Sequence, residues 1–465
     1  MYRYFLYVYF SWLALQNFLL PWSYRQGWLP VVWLTLVMAS KEAVLVAAIV
    51  LLSFRIRRRN LQWLAPDCFA VGHVALLTFY LLAPGLFHSN APFALRMISL
   101  RSVISLALFY FWGRLSFLSI RHLRGFLRFL VGLQVAVAAF GLYEWLALPD
   151  AFWSDTIGIG TFMLDVKGLL DGQNVINGLP SNMFRLGARR VISSYGDPLA
   201  MGIASVFPLL LCLAWLLRNS KSRHRWIWRS STIVVGIALL LTLGRESIGA
   251  AVISSVLLLW WAGKFRGYVS ALAIIALLLL MLPQIWNFGE QTLSFREESS
   301  ATHLTFLAEG WRQIPKMLLG NGLGEAGGWA YSLAGVRTDT GESSYFDLMA
   351  QTGLASVILL LGFLISTARQ AFRESKSFFD PLIAAALTAT TAHVIGRSLM
   401  AVFSPSLFGV VPLASFFFFC GVAFTTLQRS RLRPAIPARR ALVLWKPAAA
   451  IPCSATPPSA NSFRP

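Results

Sequence analysis

Acidic residues are scarce in this chain: 19 Asp and Glu stand against 40 Lys and Arg, and charged residues of either sign fill only 13% of 465 positions. With 57% hydrophobic residues and a mean hydropathy of +0.64, so little charge excludes a water-soluble globular fold. Cysteine is scarce as well. Cys68, Cys212, Cys420 and Cys453 are widely scattered, three in apolar runs and one in the tail, which supports neither a disulfide framework nor a CxxC metal site. DxD and HxxE spacings are absent and the six histidines are dispersed, so metal-assisted catalysis is disfavoured; no Walker or dinucleotide pattern calls for a cofactor. No chain of carboxylates in apolar runs suggests a proton relay, no internal repeat is visible, and the N-terminus lacks a signal-peptide cleavage pattern and reads as a retained first span.

What is present in quantity is apolar length. Runs of roughly 17 to 25 residues recur along almost the whole chain, each the span a helix needs to cross a bilayer core about 30 Å thick. The fold class is therefore all-α and polytopic, with about twelve transmembrane helices in a single domain over 1–427. The formal charge of +21 sits in short connections on one side of the spans, as the positive-inside rule requires, so it reports topology and not nucleic acid. Arg55, Arg57, Arg58 and Arg59, then Arg121, Arg124 and Arg128, then Arg218 to Arg229, and Arg369, Arg373 and Lys376 mark the cytoplasmic face, with both termini inside. Outer loops fall at 149–190 and 286–343. The last span ends near Leu427, and the Ala/Pro/Ser-rich residues 428–465 read as a disordered cytoplasmic tail. Lys41 and Glu42, adjacent within the second span, mark either a break in the helix or a polar interior.

Four clusters on the outer side carry polar chemistry. Ser230–Trp261 is about 48 Å long as one helix, too long for one crossing, so it should fold as a hairpin whose tip is Gly244-Arg245-Glu246-Ser247. Its short arms place Arg245 below the outer surface, either bridged to Glu246, snorkelling to the interface, or lining an anion site. Arg189 and Arg190 stand ahead of Asp197-Pro198, which opens a span; phosphate binding and interfacial anchoring both fit. An amphipathic helix begins near Ser300, with Leu304, Leu307, Trp311 and Ile314 on one face, Thr305, Glu309 and Arg312 opposite, and His303 on the apolar side. Arg296 and Arg337 flank it. Finally, glycines at 320, 322, 324, 327 and 328 permit tight turns and close backbone approach. Ser344-Tyr-Phe-Asp347 fits the acidic form of a capping box, and Glu342, just before it, is either a second capping acid or a base for an attacking hydroxyl.

Together these motifs resemble the bacterial O-antigen ligase and polymerase superfamily. LTLGRES around Arg245 is similar to its Thr-x-Ser-Arg-Gly segment, with Gly244 and Glu246 as departures. RRVISSYGDPLA is similar to its Arg-x-x-Gly-x-x-x-(Asn/Asp)-Pro start of a span, with Ser193 replacing the first glycine. The helix from Ser299 through LLGNGLG and the segment GESSYFDLMAQTGLASVILLL complete the likeness, which covers roughly residues 100 to 425. The resemblance implies a glycosyltransferase-C-like fold with a large periplasmic loop between two late spans of a multi-pass inner-membrane protein. It further implies a metal-independent enzyme acting on undecaprenyl-diphosphate-linked glycan, with membrane lipid and a chain-length regulator as further partners and no nucleic acid. Carried over by position, Arg190 and Arg245 hold the donor diphosphate, and Glu342 stands where ligases have a histidine base. His303 replaces an arginine, leaving Arg296, Arg312 and Arg337 to complete the phosphate site. Glu-Ser in place of His-Asn favours polymerisation of O-antigen, exopolysaccharide or capsule repeats. Ligation of glycan to lipid A core is the alternative, and a flippase or transporter of lipid-linked glycan the reading from another class.

Overall fold

Apolar runs of membrane length fold as helices in the computed structural model, which describes residues 2–56, 62–87, 89–166, 175–176, 179–185, 188–219, 224–263, 290, 298–327, 343–408 and 410–432. The helices are α1 (Tyr2–Arg25), α2 (Val31–Ile56), α3 (Ala65–Leu82), α4 (Phe93–Leu115), α5 (Ile120–Ala147) and α6 (Ile159–Asp165) in the first part of the chain. They continue as α7 (Pro198–Arg218), α8 (Arg225–Leu241), α9 (Arg245–Trp261), α10 (Glu298–Gln313), α11 (Ser344–Ser377), α12 (Pro381–Met400) and α13 (Val410–Leu432). Eight of them, α2, α3, α4, α5, α7, α11, α12 and α13, are long and apolar enough to cross a membrane. The chain is therefore a multi-pass helical membrane protein. Of the remaining expected spans, α1 is a helix with Pro21 inside it, α8 and α9 form the expected hairpin, and 268–285 lies outside the described residues. The chain divides into two units, Met1–Thr426 and Leu427–Pro465; residues 433–465, which include most of the expected tail, are outside the described residues.

Between α5 and α7 the backbone makes a π-helical turn at Phe152–Ile157, α6, and two short antiparallel pairs: β1 (Val175–Ile176) with β2 (Leu179–Pro180), and β3 (Phe184–Arg185) with β4 (Ala188–Arg189). In the second pair Phe184 opposes Arg189, which sets the register of the arginines that follow.

Close helix crossings sit where side chains are small. A Cβ on Gly113 would collide with the Phe418 carbonyl oxygen, and one on Gly421 with that of Tyr110, so α4 and α13 touch backbone to backbone. Phe10 packs beside this crossing, with ring centroids 5.9 Å from Trp112 and 5.2 Å from Phe418. At the same end of α4, the buried Arg114 grips Asp67 at the start of α3 with two nitrogens (2.8 and 2.7 Å). The question at Lys41 and Glu42 resolves toward a polar contact: α2 runs through both residues unbroken, and Glu42 lies 3.0 Å from Arg101 of α4.

The break lies in α11. Thr352 and Gly353 leave helical geometry, with Gly353 at φ 74° and ψ 176°, a region essentially restricted to glycine. The glycine-rich turn at 317–324 fits into the gap and takes over its backbone bonds. Asn321 N donates to Ala350 O (2.7 Å), Gly322 N to Gln351 O (2.9 Å), and Leu354 N to Leu318 O (3.0 Å). A Cβ on Gly320 would stand 2.6 Å from Gly353 N, and one on Gly353 2.6 Å from Leu318 O. The segment beyond the break, 354–377, is still about 36 Å long, enough to cross unaided. The first segment, 344–351, is an added, mostly buried stretch of about two turns at the end where α12 finishes.

Candidate active site at the turn between α8 and α9

A helix that ends inside a protein must place its last carbonyls. At the end of α8 three consecutive ones are taken by β3 and the residues after β4: Leu241 O accepts from Val191 N (3.0 Å), Thr242 O from Arg190 Nε (2.5 Å), and Leu243 O from Arg185 Nη1 (3.2 Å). Cationic donors there also complement the negative end of the helix dipole. Arg190 is 4% exposed, and its Nη1 donates to Asn182 O at 2.8 Å. Arg189, by contrast, turns away to α5: its Nη2 donates to Glu144 O and Leu148 O (2.6 Å each), and Nη1 meets Asp150 at 3.1 Å. One arginine of the tandem therefore closes a helix end while the other enters the turn.

The backbone that carries Arg190 is fixed by a buried carboxylate. Glu144 accepts from Ile192 N (2.9 Å), Ser193 N (3.4 Å) and the Trp153 indole N–H. A Cβ on Gly141 would meet Val191 Cγ1 at 2.7 Å, so glycine there admits the segment against α5. Asp197 then caps α7, accepting from Ala200 N at 2.9 Å with Pro198 in the first turn, as its sequence signature predicts.

Gly244 caps α9 without a side-chain acceptor, and a Cβ on it would stand 3.7 Å from Arg190 Nη2. Arg245, the first residue of α9, is half-buried. Arg190 and Arg245, 55 residues apart in sequence, thus border the same glycine. Glu246 does not turn back onto its neighbour, because adjacent helical side chains diverge by about 100°. It reaches across to α12, where Oε1 lies 2.6 Å from Arg397 Nη1 and Oε2 accepts from the Ser404 hydroxyl. Small residues make this reach short: Ser254 Oγ donates to Ala392 O (2.9 Å), and a Cβ on Gly396 would stand 2.7 Å from Ala250 O.

The same corner holds the start of α11. Ser344 N donates to Ala401 O and Ser404 O (3.0 Å each), Ser344 Oγ donates to Ser404 O (2.6 Å), and the Tyr345 hydroxyl donates to Ser398 O (2.9 Å). This corrects the capping box expected at Ser344 to Asp347. The cap is Ser343, with no side-chain cap bond; Ser344 is spent on the connection after α12, and Asp347 is buried near the turn, 3.5 Å from where a Gly327 Cβ would be.

Of the residues singled out in the sequence, Arg190 and Arg245 are brought together. Arg312 lies in the last turn of α10 on an exposed face, 3.6 Å from Glu309. Gly310 of the same helix faces Phe346, whose ring packs edge-on to Trp311 at 5.7 Å. His303 lies in α10, with its side chain outside the described residues, as are Arg296, Arg337 and Glu342. Arg185, Glu246, Arg397 and Ser404 are added by the fold. An arginine within the apolar run HVIGRSLM was the available signal for Arg397.

Arg185, Arg190, Arg245 and Arg397 outnumber Glu246 and the capping Asp197 here, and the N-terminus of α9 adds further positive potential. Such a cluster suits a polyanion with several oxygens, because guanidinium forks bind phosphate oxygens in pairs. No protein-family model and no curated protein matches this chain. Among solved structures, it is similar to a chain of a peptidoglycan synthase complex, at 17% identity and a TM-score of 0.41, over 78% of this chain and 98% of that one.

Proposed function

We propose that this protein polymerises glycan repeat units carried on a polyprenyl diphosphate at a membrane face. The observation that supports it most is the buried Arg190 guanidinium at Gly244, next in the chain to the half-buried Arg245 at the tip of the α8–α9 hairpin. In this reading the two arginines hold the diphosphate of the growing chain. A hydroxyl of the incoming repeat unit attacks the anomeric carbon, the new C–O bond forms, the bond to phosphate breaks, and polyprenyl diphosphate leaves with its charge neutralised by the arginines. Glu342 takes the hydroxyl proton; it directly precedes Ser343, which the fold ties to the end of α12 through Ala401 O (3.4 Å).

Purified protein given only a defined lipid-linked oligosaccharide should extend it. Arg245→Ala and Glu342→Ala should each lower extension by about 100-fold or more while the protein stays monodisperse. Unchanged polymer from both variants would overturn the site. Transfer only after a lipid A core acceptor is added would identify a ligase, and movement of labelled lipid across vesicles with no change in glycan length would identify a transporter.

A further inference from the structure

The sequence motifs leave Glu246 and Arg397 unused, yet the two side chains are only 10% and 3% exposed and meet at 2.6 Å. Glu246 directly follows Arg245, so Arg190 at Gly244 and Arg397 at Glu246 stand on either side of Arg245 in the chain. Beside Arg397 lies a cavity of about 10 Å³, room for roughly one water, where His393, Arg397 and Ser398 meet a mostly apolar lining that includes Leu364, Phe416 and Phe417. His393, one helical turn from Arg397 and 1% exposed, has no hydrogen-bond partner on either ring nitrogen, so the wall of that cavity carries unspent polar capacity. Arg397 therefore has a tight partner and borders a small void.

We infer that Glu246 is the resident counter-ion of an anion subsite, and that a phosphate group of the substrate displaces it from Arg397. A buried arginine needs an anion at all times, since an unpaired charge is costly inside the bundle. Glu246 meets that need before substrate binds. A diphosphate can engage Arg245 and Arg397 together, whereas one carboxylate holds Arg397 alone, so substrate wins by spanning both. Glu246 remains hydrogen-bonded by Ser404, on the connection that also binds Ser344. The exchange would thus be felt at the start of α11. This inference rests on the polyprenyl-diphosphate reading above and adds Arg397 as a binding residue and Glu246 as its competitor.

The test is equilibrium binding of farnesyl diphosphate to the full chain in detergent, with farnesyl monophosphate and inorganic diphosphate as parallel arms. Removing the competing charge in Glu246→Gln should tighten farnesyl diphosphate binding about 10-fold, and Arg397→Gln should weaken it about 10-fold or more. The exchanged pair Glu246→Arg with Arg397→Glu should recover thermal stability without recovering affinity. Wild-type affinity in both Glu246→Gln and Arg397→Gln, alongside its loss in Arg245→Ala, would overturn the inference and leave the pair a structural bolt. Should Arg397→Gln not fold, Glu246→Gln decides alone: unchanged or weaker binding overturns it. Wild-type protein that binds no farnesyl diphosphate would instead defeat the functional reading beneath it.

Discussion

Two buried arginine–carboxylate pairs sit toward opposite ends of this bundle, and their surroundings differ more than their chemistry. The contacts of α3 with α11 set the ends: Gly72 faces Leu359 and Phe69 faces Gly362, so the two helices run antiparallel and Asp67 lies away from Ser344. At Asp67, Arg114 is enclosed by acceptors of fixed position. Nε and Nη2 donate to the two carboxylate oxygens, Nη1 to Thr425 Oγ1 (2.9 Å), and Nη2 also to Gln62 O (2.9 Å). The carboxylate also accepts from the Tyr110 hydroxyl (2.7 Å) and Leu64 N (2.8 Å). That knot ties α3, α4 and α13 together and closes on itself. Glu246 and Arg397 instead meet through one oxygen, next in the chain to Arg245 at a helix start without a side-chain cap, with a small cavity beside Arg397. Desolvated charge serves rigidity where every lone pair is matched; on the proposed reading, the second pair serves recognition because a single carboxylate can be exchanged for a phosphate.

The comparison breaks most decisively at the knot. Arg114→Ala strands the Asp67 charge in the interior and should cost about 3–5 kcal/mol, seen as loss of folded protein in a thermal melt. Nearly as large is Gly353→Ala, which forces a side chain into glycine-only backbone and against Leu318 O; about 3 kcal/mol or more is expected, with Gly320→Ala matching it. If either glycine variant melted like the wild type, the packed break in α11 would be wrong. Arg189→Ala, which uncaps α5 on the site side, should cost about 1–2 kcal/mol and leave farnesyl diphosphate affinity within a factor of about two, because its bonds point away from the turn. Smallest is Asp165→Asn, which weakens the exposed bond from the Tyr24 hydroxyl (2.7 Å) and should shift stability by at most about 0.5 kcal/mol. A larger shift would show that α1 and α6 are coupled more strongly than their surface contact implies.

Membrane architecture was legible from the sequence wherever length alone decides. The 230–261 run is too long for one crossing, and the fold indeed turns at Thr242 to Gly244, between arms of 17 residues each. Asp197-Pro198 was legible because capping is local chemistry. The break in α11 was not: Gly353 is a single glycine in an apolar run, and it leaves the helix because a turn some thirty residues upstream supplies substitute hydrogen bonds. For the same reason Ser344 looked like a cap, since nothing nearby in sequence announces that the carbonyls of Ala401 and Ser404 compete for it. At the site, Arg190 and Arg245 were legible as cations ahead of spans. The Glu246–Arg397 pair was hidden because partners across two helices leave no sequence spacing, and because an arginine near the end of a span also looks like an interfacial anchor.

The interlocked backbones at Gly320 and Gly353 also bear on how the molecule is made. During synthesis the glycine turn emerges before the helix it completes, so its amides at Asn321 and Gly322 must wait, hydrated, until Ala350 and Gln351 arrive. Neither strand of this junction can be inserted into lipid with its hydrogen bonds unmet. The first turns of α11, before Gly353, therefore reach their final seating only when the polar turn docks on them, and Tyr80 of α3 donates to Leu319 O at the same joint.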